Sequence, residues 1–364
     1  MNLLFVCPSL SIDWGGPTDV IENLGGLLEK ELDTELRVCT TTDPVTDKIF
    51  STLKNIILVK RDYLSALWIG FSFKLIYVLW IEVSRAHIIH IHELWHFPGI
   101  LAALYARIQK KSYCISTHGG LDPGCFSEKK VKKKLFFFLF QKNILIQASK
   151  VFVLSQRELQ MAKILAPSIN SDIIPNGVSK KFLVEKKIKK QKYLLFLGRL
   201  HQIKGLFLLV EAFAGISKKY TDYTLVLAGP DGGVQSKLKT FCHQLNIQDK
   251  VLFPGLVKNE AKWKLLKEAT VFVLPSYGEA FGIVILEALA AGTPVVVTEA
   301  CGVPGIEEAK IGKVVPIDAS ALQSAIEFYL QTPVDIVYDA INFIEANYQW
   351  ETLVKIYLET YKRI

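Results

Sequence analysis

The chain has 364 residues, half of them apolar and about a fifth charged, with no low-complexity tract and no short internal repeat. That length exceeds one compact core and suits two domains, and the composition excludes disordered and fibrous classes. The formal net charge is +8, yet no nucleic-acid-binding module and no interleaving of basic residues with aromatics accompanies it, which argues against a nucleic-acid partner.

In chain order, MNLLFVCPSL lacks a basic leader region and reads as a first strand, not as a signal peptide. Apolar runs follow at 3–7, 35–40, 87–92, 113–117 and 150–155, separated by helical stretches such as 17–30 and 98–110. Short apolar runs alternating with amphipathic helices predict a parallel sheet covered on both faces. The rhythm repeats at 193–198, 223–229, 250–255, 270–275, 293–298 and 313–317. Apolar periodicity stops after 173–178, in a lysine-rich stretch reaching Lys192, which places a seam there and predicts domains over 1–178 and 179–364. Residues 341–364 read as one or two amphipathic helices.

Two segments bear on membranes. Residues 64–81 approach the length of a spanning helix. Lys74 near the middle is penalised by about 3 kcal/mol in a span, and Ser65, Gly70 and Ser72 dilute the segment, so a buried or interfacial helix is expected. Lys129, Lys130, Lys132, Lys133 and Lys134 run directly into LFFFLF at 135–140, a pattern expected to attract an anionic membrane surface. The six cysteines, Cys7, Cys39, Cys114, Cys125, Cys242 and Cys301, form no C-x-x-C pair. They are read as reduced, buried thiols of a reducing compartment.

Sheets of this kind bind ligands beyond the carboxyl ends of their strands, and the chemistry-bearing residues fall there. Gly15 and Gly16 follow the first run and permit close backbone approach to a ligand, with Pro17 suited to a first helical turn. The pattern is not the G-x-G-x-x-G of dinucleotide enzymes. His90, His92 and His96 form an H-x-H-x-x-x-H cluster, but apart from Glu93 no ligand set completes a metal site. His118, followed by two glycines at the end of a strand, is expected to face a ligand.

In the second half, GRLHQIKG (198–205) offers the planar fork of Arg199 and the point charge of Lys204, followed by a helix N-terminus near Gly205. These suit a diphosphate. SYGEAFGIVILEALAAGTP (276–294) carries Glu279 on a turn, then Phe281 and Gly282, and Glu287 eight positions after Glu279, inside an apolar helix. A helix N-terminus favours an anion, while a carboxylate ahead of it favours hydroxyls. Phosphate with polyhydroxyl suggests a nucleotide-sugar. Eight helical positions span about 12 Å, against the ~5 Å between the carboxyls of a retaining glycosidase, so the two glutamates are expected to have distinct roles.

Taken in order, the early Gly-Gly, H-x-H-x-L-W (90–95), THGGLDPG (117–124), IIPNGV (173–178), GRLHQIKG and Glu279-x7-Glu287 resemble family 4 of the GT-B glycosyltransferases over nearly the whole chain. The resemblance implies an α/β fold of two Rossmann-like, doubly wound domains facing a cleft, with a final helix at about 345–364 crossing back to the N-terminal domain. It implies transfer with retention from a nucleotide-sugar to a glycan or lipid-linked acceptor, with no metal and no cofactor, in cell-surface polysaccharide or glycolipid synthesis. By the same resemblance Arg199 and Lys204 hold the donor diphosphate and Glu287 the ribose. Glu279 and the Phe281–Gly282 backbone meet sugar hydroxyls, 253–257 lies near the base, Gly15 and Gly16 line the phosphate side, and His118 lies at the reacting face. A cytoplasmic location follows, peripheral on the membrane's cytosolic face. Gly305 departs from the pattern, standing where the family often carries glutamate, with Glu307 and Glu308 close by. The competing readings are a nucleotide-sugar epimerase, which would isomerise a donor without an acceptor, and a non-catalytic nucleotide-sugar binder.

Overall fold

The computed structural model describes residues 1–11, 14–31, 35–43, 47–49, 51–122, 135–183 and 188–364. They form two units, one of Met1–Asn176 with Trp350–Ile364 and one of Gly177–Gln349. The N-terminal unit runs β1 (Asn2–Cys7), α1 (Gly16–Leu28), β2 (Glu35–Thr42), β3 (Ile56–Lys60), α2 (Phe73–Arg85), β4 (Ile88–His92), α3 (Phe97–Ile108), β5 (Ser112–Ser116), α4 (Lys142–Gln147), β6 (Lys150–Val153), α5 (Gln156–Leu165) and β7 (Ser171–Ile173). The C-terminal unit follows with β8 (Tyr193–Leu197), α6 (Leu206–Lys219), β9 (Thr224–Ala228), α7 (Gln235–Gln244), β10 (Val251–Gly255), α8 (Asn259–Glu268), β11 (Val271–Leu274), α9 (Ile283–Ala290), β12 (Val295–Thr298), β13 (Gly312–Val315), α10 (Ala319–Gln331) and α11 (Val337–Asn347). The last helix, α12 (Trp350–Arg363), belongs to the N-terminal unit.

Each unit holds one sheet, in the orders β3-β2-β1-β4-β5-β6-β7 and β10-β9-β8-β11-β12-β13. Every pairing is parallel. Central strands such as β1, β4 and β11 are almost wholly buried, as sheets covered on both faces require. The predicted runs appear as strands, joined by two edge strands outside them: β3, whose IILV run at 56–59 buries only Val59, and the three-residue β7, none of whose residues is buried.

Local chemistry fixes the helix starts. Pro17 sits in the first turn of α1, and Ser155 and Asp318 cap α5 and α10, accepting from Glu158 N at 3.3 Å and Ala321 N at 2.9 Å. α12 packs through Tyr357 on Phe152, with ring centroids 4.8 Å apart, and through Tyr361, whose hydroxyl lies 2.6 Å from His90 Nδ1.

The 64–81 segment divides into a 3-10 turn at Tyr63–Ala66 and the thirteen-residue α2. Among the described residues no helix is long and apolar enough to cross a membrane. Lys129 to Lys134 lie outside the described residues, as does Cys125. The other five cysteines are free and buried, and burial raises the Cys7 thiol to about 12 and that of Cys301 to about 11.

Candidate functional site

Strand order reverses in each sheet where a crossover changes direction: between β1 and β4, and between β8 and β11. Beyond the carboxyl ends of such neighbouring strands two loops diverge and leave a crevice, the usual ligand position in doubly wound sheets. The residues singled out from sequence form two sets, one per unit: Gly15 and Gly16 follow β1 and His118 follows β5, while Arg199 and Lys204 follow β8 and Glu279 follows β11, with Glu287 inside α9.

In the C-terminal unit, β8 ends in the 198–205 loop and β11 in the 275–282 turn. The backbones meet: Tyr277 N donates to Ile203 O at 2.8 Å. Gly205 makes this approach feasible. Its φ is +64°, and a Cβ there would stand 1.9 Å from Pro275 O, so no other residue fits without moving the turn. The loop thereby delivers Lys204, whose ammonium pairs with the Glu279 carboxylate; both side chains are about one-fifth exposed (21% and 19%). Glu279 N donates to Ala300 O at 3.0 Å, which fixes the turn from the β12 side.

Arg199 is exposed on the same loop. Phe281 is buried, 6% exposed, with its ring 5.9 Å from that of Tyr348, and its carbonyl accepts from Ile283 N at 3.0 Å. Gly282 precedes the first turn of α9, where a Cβ would come within 2.8 Å of Ile285 Cδ1. Glu287 is half-buried on α9 and pairs with Lys262 of α8 at 2.5 Å. Sequence reasoning missed Lys262, because nothing in the spacing of two separate helices links positions 262 and 287. At Gly305 the backbone is left-handed, φ +86°, a conformation in which glutamate would be strained. Glu307 accepts a bond from Val314 N at 3.2 Å, which directs its carboxylate to β13.

In the N-terminal unit, β4 and the loops after β4 and β5 carry a group of imidazoles. His90 and His92 share one face, stacked at 4.1 Å. His90 Nε2 lies 2.8 Å from Ser116 Oγ, and His92 Nδ1 lies 3.1 Å from His118 Nε2. His96 Nε2 donates to the carbonyls of His92 (2.9 Å) and Glu93 (3.2 Å), and its Nδ1 accepts from Gly99 N at 3.0 Å. Burial lowers all four, His96 and His118 to about 4, so these rings are neutral at pH 7. Among the described residues no group of three His, Cys, Asp or Glu side chains is placed to hold a metal ion.

His118 sits just beyond β5 with φ +48°, half-buried. Gly15 and Gly16 open α1, with open space where a Cβ would stand. Next to them Trp14 Nε1 donates to both carboxylate oxygens of Glu93, at 2.9 Å each. Glu93 is itself left-handed, φ +72°, and burial raises its carboxyl to about 7, against the Trp14 bond that lowers it. Trp14 and Glu93 join the loops after β1 and β4 at the point where strand order reverses. A carboxylate directly after the β4 run was the signal available for this pair.

Two all-parallel doubly wound sheets, one in each unit, give the two-domain α/β architecture of GT-B glycosyltransferases. Residues 179–350 match the family model of glycosyl transferases group 1. The chain is 30% identical over 302 residues to an uncharacterized glycosyltransferase of Methanocaldococcus jannaschii, covering 77% of this chain and 76% of that protein. It is 26% identical to a GDP-mannose:cellobiosyl-diphosphopolyprenol alpha-mannosyltransferase of Xanthomonas oryzae pv. oryzae, covering 77% and 74%. Anabaena HepE, solved with UDP-glucose, matches the fold with a TM-score of 0.77 at 18% identity over all of both chains. The chain belongs to the glycosyl transferases group 1 family and is a glycosyltransferase.

Proposed function

We propose that the protein transfers a sugar, with retention and without a metal, from a nucleoside diphosphate sugar to a glycan or lipid-linked acceptor in cell-surface polysaccharide or glycolipid synthesis. The observation that carries this reading is the corner of the C-terminal unit where Lys204 and Glu279 are brought into an ion pair, with Arg199 on the same loop. Arg199 and Lys204 bind the diphosphate and stabilise the charge that develops on it as the sugar departs, the task a divalent cation performs elsewhere. Glu279 and the Phe281–Gly282 backbone take the sugar hydroxyls, and Glu287 takes the ribose. Gly15 and Gly16 give a phosphate room beside α1. His118, neutral at pH 7, supplies a hydrogen-bonding imidazole to the reacting sugar.

A relative named for GDP-mannose and a structural neighbour solved with UDP-glucose differ in base and sugar but share the diphosphate. That shared group is what the cation pair suits. The relative's diphosphopolyprenol acceptor supports a lipid-linked acceptor, and with it a place on the cytosolic face of a membrane. The test is a panel of nucleoside diphosphate sugars, screened first by thermal shift. A specific donor at a hundred times its Kd adds about 2.7 kcal/mol of stability. Transfer is then followed with acceptor present, the product anomer is read by NMR, and the rate is compared with and without chelator. Inversion of the anomeric centre, loss of rate on chelation, or isomerisation of the donor without acceptor would each contradict a part of the proposal.

A further inference from the structure

α2 is apolar on two faces. Leu75, Leu79 and Val83 point into the core, as the 3.6-residue period allows. Phe73, Ile76, Tyr77 and Trp80, at i, i+3, i+4 and i+7, form a second row that is open to solvent, Tyr77 70% exposed. A helix with two apolar faces normally has both of them covered. Here, among the described residues, one of those faces is open to solvent.

The open row continues onto neighbouring elements. Trp80 meets Tyr105 of α3 edge-on at 5.0 Å, and the Tyr105 hydroxyl donates to Ile76 O at 3.1 Å. On α3, Leu104 and Ile108 are exposed beside them, Ile108 56%. From Phe73 a chain of ring contacts runs through Phe71 (5.1 Å), Phe97 (4.7 Å) and Trp68 (5.1 Å) to Phe140 (5.7 Å), which belongs to the helical turn whose Phe138 and Leu139 are also exposed. An open apolar surface of this extent marks a docking site.

Charge selects the occupant. No aspartate or glutamate occurs in 63–81, 94–121 or 135–157. The carboxylates that bound α2 are engaged: Asp62 accepts from Phe73 N at 2.6 Å, and buried Glu82 pairs with Arg37 at 2.8 Å and Arg85 at 3.2 Å. Lys74, Arg107 and Lys110 are exposed on α2 and α3 and just after it, and Lys142 Nζ stands 5.4 Å above the Phe138 ring. A second copy of the chain would bring like charges together. An anionic bilayer offers the opposite charge and an apolar interior, and aromatic rings with lysines are what its interface favours. With thirteen residues, α2 is about 20 Å long, short of the ~30 Å hydrocarbon core, so it lies in the plane of the interface.

We infer that the α2–α3 face, with the turn carrying Phe138, seats the N-terminal unit on an anionic lipid surface, Tyr77, Trp80 and Ile108 entering the headgroup layer and Lys74 and Lys110 meeting lipid phosphates. This deepens the proposed membrane location and rests on it only for its purpose.

The test is co-sedimentation of the full chain with vesicles of phosphatidylcholine alone and of equal parts phosphatidylcholine and phosphatidylglycerol. Wild type should bind the mixed vesicles and lose binding as salt rises. The pairs Tyr77→Glu/Ile108→Glu and Lys74→Glu/Lys110→Glu should each lose on the order of ten-fold or more in partition, with unchanged melting temperature because all four side chains are exposed. Wild type that ignores both vesicles, or an apolar pair that binds like wild type, overturns the assignment. So does sedimentation velocity showing a dimer that Tyr77→Glu/Ile108→Glu dissociates while vesicle binding is unaffected. Thermal stabilisation by nucleoside diphosphates, measured on the same variants, reports on the donor site alone and keeps the two failures distinct.

Discussion

Replacing Lys204 with methionine keeps an unbranched side chain one atom shorter and removes its charge. In the free protein that ammonium pairs with Glu279, both side chains being about one-fifth exposed. Two consequences separate. If Lys204 holds the donor diphosphate, Lys204→Met forfeits a charge-assisted hydrogen bond of about 1.5–3 kcal/mol. At 1.36 kcal/mol per decade that is about a ten- to 150-fold loss in kcat/KM, with a matching loss in nucleoside diphosphate affinity. It also leaves the Glu279 carboxylate unpaired near the diphosphate, which adds repulsion. The double variant Lys204→Met/Glu279→Gln removes that repulsion without returning the lost cation. Calorimetric titration of a nucleoside diphosphate into wild type, both single variants and the double variant separates the terms. Under the proposed role the double variant stays at least about ten-fold weaker than Glu279→Gln alone. If the double variant binds nucleotide as well as Glu279→Gln does, Lys204 serves only to pair with Glu279, and the diphosphate assignment is wrong.

Gly205→Ala places a Cβ 1.9 Å from Pro275 O at a φ of +64°. The left-handed strain alone costs about 1–2 kcal/mol, so melting temperature should fall by several degrees, and activity should fall further because the 198–205 loop lifts from the 275–282 turn; calorimetry and turnover check the two. Glu287→Gln should weaken binding of ribonucleoside diphosphates by about ten-fold while leaving 2′,3′-dideoxy analogues nearly unchanged, a comparison made by competition binding. Stability should also respond to pH in a fixed sense. His96 and His118 titrate at about 4 when folded, below the ordinary 6.5, so their contribution is full above pH 6.5 and is lost as pH falls toward 4, by about 3 kcal/mol per ring at most. Glu93, raised to about 7, acts oppositely, its contribution fading as pH rises from about 4.5 to 7. Denaturant melts from pH 4 to 8 should therefore show stability rising with pH up to about 6.5, and Glu93→Gln should steepen that rise.

The parallel strands were legible because burial on both faces writes itself as continuous apolar runs: VFVL at 271–274 and VVVT at 295–298 are buried throughout. β3 went unflagged although IILV at 56–59 is itself an apolar run, and it buries only Val59, while β7 has three residues and buries none of them. The C-terminal corner was readable because its residues sit on two short loops with conspicuous spacing. Lys262 was invisible for the opposite reason: it reaches Glu287 only through the packing of α8 on α9, a contact that sequence separation does not encode. In the N-terminal unit the shared face of His90 and His92 followed from the two-residue period of a strand. What the period did not give was Tyr361, 271 positions along the chain, as the partner of His90.

The pairing seen in the corner bears on selectivity. Lys204 pairs with Glu279 and Lys262 with Glu287, so each carboxylate is matched by one ammonium, and Arg199 is exposed on the same loop as Lys204. A ligand that offers only an anion would draw Lys204 away from Glu279 and leave that carboxylate partly desolvated and beside a negative charge, a loss on the order of the bond it gains. A ligand offering an anion and neighbouring hydroxyls replaces both partners at once, the phosphate for Lys204 and the hydroxyls for Glu279. Under the proposed function this favours the intact nucleoside diphosphate sugar over the nucleoside diphosphate left after transfer. On that proposal the departure of the sugar restores the conflict between Glu279 and the diphosphate, so the two residues proposed to hold the donor would also weaken the hold on the product.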